Sequence, residues 1–197
     1  MQLRDDDLGG RLPLLDPASL TDIQRQFYDA AMSAEYPWSL STGFQFVTQD
    51  KRLIGPYNAF LRRPQIAEKL QEFAKAASQL SSLSPQLREV AILAVGSAWN
   101  SKYEVYAHQI VAEAAGISAA DAAALATGQS PTRLGRDGEV VFALARQLTV
   151  EHHVDQDLYD EAVTLFGEEG VFDIVAVMGA YLVVSSVLNV FDVPAPE

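Results

Sequence analysis

Three side chains in one stretch of this chain have the types and spacing of acid–base chemistry. In LREVAILAVGSAWNSKYEVYAHQIVAEAAGIS, residues 87–118, Glu89 interrupts an apolar run, with Ile92, Leu93 and Gly96 near the same helical face. A carboxylate there is costly unless it is paired or hydrogen-bonded. Glu104 and His108 stand four residues apart, which on a helix places them on one face. A carboxylate so placed raises the imidazole pKa and orients its ring. Together the three supply a proton acceptor, a donor and a local charge device. Each also has an ordinary reading: Glu104 as the capping-box acid behind Ser101, His108 as a core or interface histidine, Glu89 as a partner of Arg88 or another surface charge. One histidine and two acids could hold a metal, but the HExxH and doubled ExxH patterns are absent, so no metal is expected.

Around this trio the candidate substrate contacts are aromatic. Trp38, Tyr57, Trp99 and Tyr103 could line a pocket for a flat organic molecule, with Tyr57 and Tyr103 as hydrogen-bond donors and Asn58 beside Tyr57. Arg62, Arg63 and Arg88 are the nearby cations in sequence for a carboxylate. Glu151–His152–His153 with Asp155 invites a metal reading, but adjacent histidines share a helical face poorly, and a solvent-facing junction is expected.

Composition removes several classes of function. The formal charge is −12, and a field of that sign repels phosphate backbones, so nucleic acid is not an expected partner. Cysteine is absent, which excludes thiolate catalysis, CxxC redox chemistry and cysteine-ligated metal sites. MQLRDDDLGG at the N-terminus is acidic and lacks an apolar h-region, so a secretory signal is not expected. Residues 174–190 form an uncharged run of 17 at the lower limit for a membrane span. Ser185, Ser186 and Asn189 interrupt it and no cations flank it, so a buried or interface helix is expected in a cytoplasmic protein.

These residues must be positioned by helices. The chain reads as all-α, with residues 1–63 forming an N-terminal arm or lid with an aromatic loop region, and residues 64–197 the helical domain. Ser19 and Asp22 resemble a cap and its N3 acid, opening a helix over about 20–34 that ends before Pro37. Residues 43–64 read as loop with at most a short strand near Phe44–Val47. Pro64 and Ser84–Pro85 open the next helices, and Ser101 with Glu104 has a capping-box signature for a helix ending near Gly116. Ser118 and Asp121 start a short helix. Three more follow at about 138–149, 155–166 and 170–189, the last two separated by Gly167 and Gly170. Glu89 lies 11 residues before Asn100 and His108 lies 8 after it. These are roughly 16 and 12 Å along two helices, so an antiparallel turn near Asn100 brings the two side chains level.

The run R-E-x(14)-E-x-x-x-H, with Ala112 and the turn Ala115–Gly116–Ile117–Ser118, resembles the carboxymuconolactone decarboxylase and AhpD-like group. The likeness is good over 85–118 and looser over 11–196, through Gly55–Pro56–Tyr57–Asn58, Leu61 and Pro64 and then Gly179–Ala180–Tyr181, Leu188–Asn189 and Phe191. The redox branch of that group carries Glu, a CxxC pair and His. On this chain the cysteine positions fall on Ser101 and Glu104, so thiol peroxidase activity is disfavoured. What the resemblance implies is an AhpD-like helical bundle of the cysteine-free branch, which includes cofactor-independent decarboxylases of carboxylated lactones, with homo-oligomers as dimers, trimers or hexamers. On that reading His108 transfers the proton, Glu89 and Glu104 orient and tune it, the substrate is a small molecule and no cofactor is needed. The alternative is a non-catalytic oligomeric ligand-binding or scaffold protein on the same fold.

Overall fold

The computed structural model describes residues 5–196. Among them are eight α-helices: α1 (Asp22–Thr42), α2 (Pro56–Phe60), α3 (Pro64–Gln79), α4 (Pro85–Ala98), α5 (Lys102–Ala114), α6 (Ala119–Ala126), α7 (Gly135–Val150) and α8 (Gln156–Val190). The only strand-like pairing among the described residues is one antiparallel bridge, Val47 to Leu53.

The helix at the centre of the fold is α4, buried without a break from Glu89 to Gly96. Its residues Val90–Val95 are buried against Val140, Val141 and Leu144 of α7 and Ile174, Val177 and Met178 of α8. Ser84 accepts a hydrogen bond from Leu87 N–H, and Pro85 occupies the first turn, where its missing N–H costs nothing. The other end is closed by Asn100 in the left-handed region at φ 50°, a conformation asparagine tolerates. Ser101 N–H donates to Gly96 C=O and Asn100 N–H to Ser97 C=O, so the last carbonyls are satisfied as the chain reverses into α5.

A second cluster is built largely from the N-terminal third. Phe27, Tyr28, Phe44, Phe46, Leu53, Ile54 and Phe60 pack with Tyr103, Ala107 and Val111 of α5 and Leu188 of α8. The preceding arm is tied down: Arg11 N–H donates to Phe191 C=O at 2.6 Å, and Leu15 N–H to the Asn58 side-chain oxygen at 3.2 Å. From Leu8 onward the N-terminal third thus shares apolar packing with the helical region.

Several element boundaries differ from the sequence reading. α1 runs through Pro37 to Thr42, because Ser39, Ser41 and Thr42 hydroxyls donate to the carbonyls of Tyr36 and Trp38, and the Trp38 ring packs edge-on against Phe44 at 5.0 Å. The helix opens on a Thr21–Gln24 capping box, not on Ser19 and Asp22. Ser101 makes no side-chain capping bond, so the expected box with Glu104 is not formed. Residues 156–190 are continuous except at Gly167, where φ 70° and ψ 171° break the helix at the expected joint. α8 is long and apolar enough to cross a membrane by composition, yet Ile174, Val177, Met178 and Ala180 belong to the protein's own buried core.

Candidate active site

The reversal at Asn100 lays α5 against α4 and brings the trio together. Glu89, Glu104 and His108 are 8%, 3% and 8% exposed. His108 Nδ1 lies 2.7 Å from Glu89 Oε2, a short charge-assisted contact. His108 Nε2 lies 3.4 Å from Glu104 Oε1, within ion-pair range, although Glu104 Oε1 has no hydrogen-bond partner within the protein. Both ring nitrogens therefore face carboxylates, and the Tyr181 ring of α8 meets the imidazole edge-on at 4.9 Å. Gly96 permits this approach, since a Cβ there would sit 3.3 Å from Glu104 Cγ.

Burial and charge act against each other here. Burial pushes the Glu104 carboxyl up to about 7, the charge of His108 opposes the rise, and that of Glu89 adds to it. For His108 burial alone would lower the pKa. The charges of Glu89 and Glu104 and the hydrogen bond to Glu89 together outweigh it and hold the ring at about 9. Near neutrality the imidazole is thus held as a cation between two acids, one of which is close to its own midpoint.

A cavity of about 390 Å³ opens onto this centre, within the range of small-molecule clefts. Glu89 and His108 lie in its wall with Tyr181 and Arg88, while Glu104 does not. Most of the remaining lining is apolar: Ala74, Ala77, Ile92, Val111 and Val177 among others. Trp38 and Thr42 from the C-terminal end of α1 complete it, so residues of the N-terminal third border their own chain's cavity.

Of the five residues expected to contact substrate, Trp38 alone lies in that wall. Tyr103 is buried, donates to Gln45 C=O at 2.7 Å, and packs so close to Gly55 that a Cβ there would come within 2.4 Å of its ring. Asn58 is buried at the arm, bonded to Leu15 and Arg62, and Arg62 is thereby also engaged. Trp99 is an exposed residue at the end of α4, its carbonyl accepting from Asn189. Tyr57 sits among Phe27, Phe46 and Phe60, its hydroxyl facing Glu35 and Gln71. Burial, followed by the charge of Glu35, raises the Tyr57 hydroxyl, and burial raises the Glu35 carboxyl. Among the described residues no three His, Asp or Glu side chains are arranged to hold a metal ion. Glu151, His152 and His153 are exposed at the turn after α7, with His152 at φ 59°.

Sequence reasoning missed Tyr181, Thr42 and Ser78 as cavity residues. Tyr181 carries a usable signal, the one phenol in the uncharged run 174–190. Thr42 carries none, because it reaches the cavity only when α1 continues past Pro37.

The arrangement is an all-helical fold of the AhpD-core class in which a glutamate–histidine–glutamate centre stands without thiols. No family model and no curated protein sequence matches the chain. Two solved structures are similar over nearly the whole length. One is an alkylhydroperoxidase AhpD core, an uncharacterized peroxidase-related protein from Ralstonia eutropha JMP134, at TM-score 0.73 and 16% identity, covering 95% of this chain and 92% of that one. The other is an uncharacterized peroxidase-related protein from Silicibacter sp. TM1040, at TM-score 0.74 and 14% identity, with the same coverages of 95% and 92%. At these identities the likeness establishes the fold and leaves the reaction to the site.

Proposed function

We propose that the protein is a cofactor-independent lyase that decarboxylates a small carboxylated lactone or related cyclic acid by acid–base catalysis. The observation that carries this reading is the Glu89–His108 pair, 2.7 Å apart, in the wall of a largely apolar cavity of about 390 Å³. In the proposed step the bond to the leaving carboxylate breaks and carbon dioxide departs. The electron pair moves into the substrate's own carbonyl, giving an enolate. The proton shared along the His108–Glu89 contact then passes from Nδ1 through the Glu89 carboxylate to carbon. The imidazole keeps its Nε2 proton toward Glu104, and Nδ1 regains its proton from solvent through Glu89, which borders the cavity. No electrons enter or leave. A peroxide-reducing role is not proposed, since the chain has no cysteine to carry a thiolate.

A mass-spectrometric screen of carboxylated lactones and related cyclic acids, wild type beside His108→Ala and Glu89→Gln, tests the reading. The expected product is lighter by one carbon dioxide, and its formation falls about 10²-fold or more in both variants while they stay folded. Equal product from wild type and variants, or none from any candidate, would count against it. The second outcome moves the protein toward a ligand-binding scaffold.

We also propose that the chain works as a homo-oligomer. Ile66 and Phe73 of α3 and Leu80 at its C-cap, spaced by seven, are exposed, as are Phe172, Val175 and Val183 of α8, a helix in contact with α3. Exposed apolar side chains gathered on two helices in contact favour an interface there.

A further inference from the structure

Tyr181 stands in the cavity wall with its ring edge-on to the imidazole of His108, the two centroids 4.9 Å apart. Its backbone is held by the core, since Val177, Met178 and Ala180 around it on α8 are all buried. The phenol oxygen makes no hydrogen bond among the described residues. The hydroxyls of Ser101 and Ser185 are also unpartnered but sealed in the interior, whereas half-buried Tyr181 opens onto the cavity. The neighbouring tyrosines are engaged elsewhere. Tyr103 donates to Gln45 C=O at 2.7 Å, Tyr106 accepts from Gln45 N–H at 3.0 Å, and Tyr57 faces Glu35 and Gln71. Thr42, in the same wall as Tyr181, donates its hydroxyl to Trp38 C=O at 2.9 Å. Burial, then the charges of Glu89 and Glu104, hold the Tyr181 proton well above the ordinary phenol value. At neutral pH the group is therefore a neutral O–H donor.

We infer that the Tyr181 hydroxyl is a catalytic donor, hydrogen-bonded to the substrate carbonyl oxygen on which negative charge collects. As carbon dioxide leaves, the electron pair moves onto that oxygen, which is two bonds from the carbon that takes up the proton. Its donor must therefore stand beside the proton-transfer pair, and Tyr181 does. The phenol keeps its own proton throughout, and its hydrogen bond strengthens as the oxygen becomes anionic. Such a contact is tighter in the transition state than with the bound substrate, which is the condition for raising kcat. Ile92, Val111 and Val177 in the same wall keep the surroundings apolar, where one fixed donor counts for more than it does in water. This rests on the lyase reading and adds the electrophile that stands beside its acid–base pair.

A titration with para-nitrophenol at neutral pH, yellow only as the phenolate, tests the donor without turnover. The phenolate oxygen stands in for the enolate oxygen, and nitrobenzene is the neutral control. Tyr181→Phe keeps the ring against His108 and should weaken phenolate binding about tenfold, with nitrobenzene affinity within about twofold of wild type. A fluorinated tyrosine at position 181, a stronger donor of nearly the same shape, should tighten phenolate binding, and it carries the test if the phenylalanine variant does not fold. Phenolate held equally by wild type and variants, or not held by wild type at all, would overturn the inference. In turnover, Tyr181→Phe should lower kcat about 10²-fold with KM within about threefold. Decarboxylation with kcat unchanged in that variant would keep the lyase reading and remove the donor. Phenolate held through Tyr181 by a protein that decarboxylates nothing would keep the donor and remove the lyase reading.

Discussion

His108 is held between two acids with different surroundings. Glu89 borders the cavity, and Glu104 is closed off behind the ring. That asymmetry fixes the sign of a pH effect. Native Glu104 keeps its proton to about 7 against an ordinary value of 4.5, and His108 to about 9 against 6.5. Between those limits the native state binds more protons than the unfolded chain, so stability falls as pH rises. The penalty of ionising Glu104 grows from 4.5 to about 7, and the contribution of His108, complete below 6.5, is lost by about 9. Thermal melts across this window should show the decline. Glu104→Gln should flatten its lower leg and shorten its upper one, since His108 then keeps a single carboxylate partner. A melting profile for that variant superimposable on wild type would contradict the assignment. The trio itself was legible in the sequence, because an acid in an apolar helix and an i, i+4 acid–histidine pair are local patterns. Which group borders the cavity was not legible. It depends on the rotation of α5 about α4, and no spacing rule encodes that rotation.

At the scale of elements, the site depends on how closely the helices approach. Gly55, at φ 59°, lets the segment before α2 pass over the Tyr103 ring, and a Cβ there would come within 2.4 Å of it. Gly55→Ala is expected to lower stability by about 2–4 kcal/mol, through the backbone conformation and the displaced ring. Chemical denaturation measures it, and a change of only a few tenths of a kcal/mol would mean the segment yields at little cost. Helix starts at Pro64, Ser84–Pro85 and Ser118 were readable because proline and a capping hydroxyl act within one turn. The C-terminal end of α1 was not, since Pro37 reads as a breaker and the hydroxyls that hold the helix beyond it are visible only once the helix is built. Ser101 and Glu104 match the capping-box pattern, but burial beside His108 takes the carboxylate instead. Tyr57, Asn58, Trp99 and Tyr103 drew notice as polar or aromatic residues near the motif in sequence. Packing, arm anchoring and helix termination account for their places in the fold.

At the scale of the whole molecule, all-helical architecture followed from periodicity, and its likeness to AhpD-core structures extends over 95% of the chain. The proposed self-association has its own test. Phe172→Asp combined with Leu80→Asp places charges on the exposed face of α3 and α8, away from the cavity wall. Sedimentation should show wild type as a dimer, trimer or hexamer and the double variant as a smaller species, with little loss of monomer stability. Wild type sedimenting as a monomer, or an assembly indifferent to both charges, would put the interface elsewhere or remove it.

The most direct test of the central claim is to run the reaction in deuterium oxide and follow both carbon dioxide release and the isotope content of the product. Wild type should release carbon dioxide and fix one deuterium at the carbon that lost it, and His108→Ala should do so about 10²-fold more slowly or worse. Deuterated product from His108→Ala at the wild-type rate would contradict the account. So would deuterium exchange by wild type with every carboxylate retained.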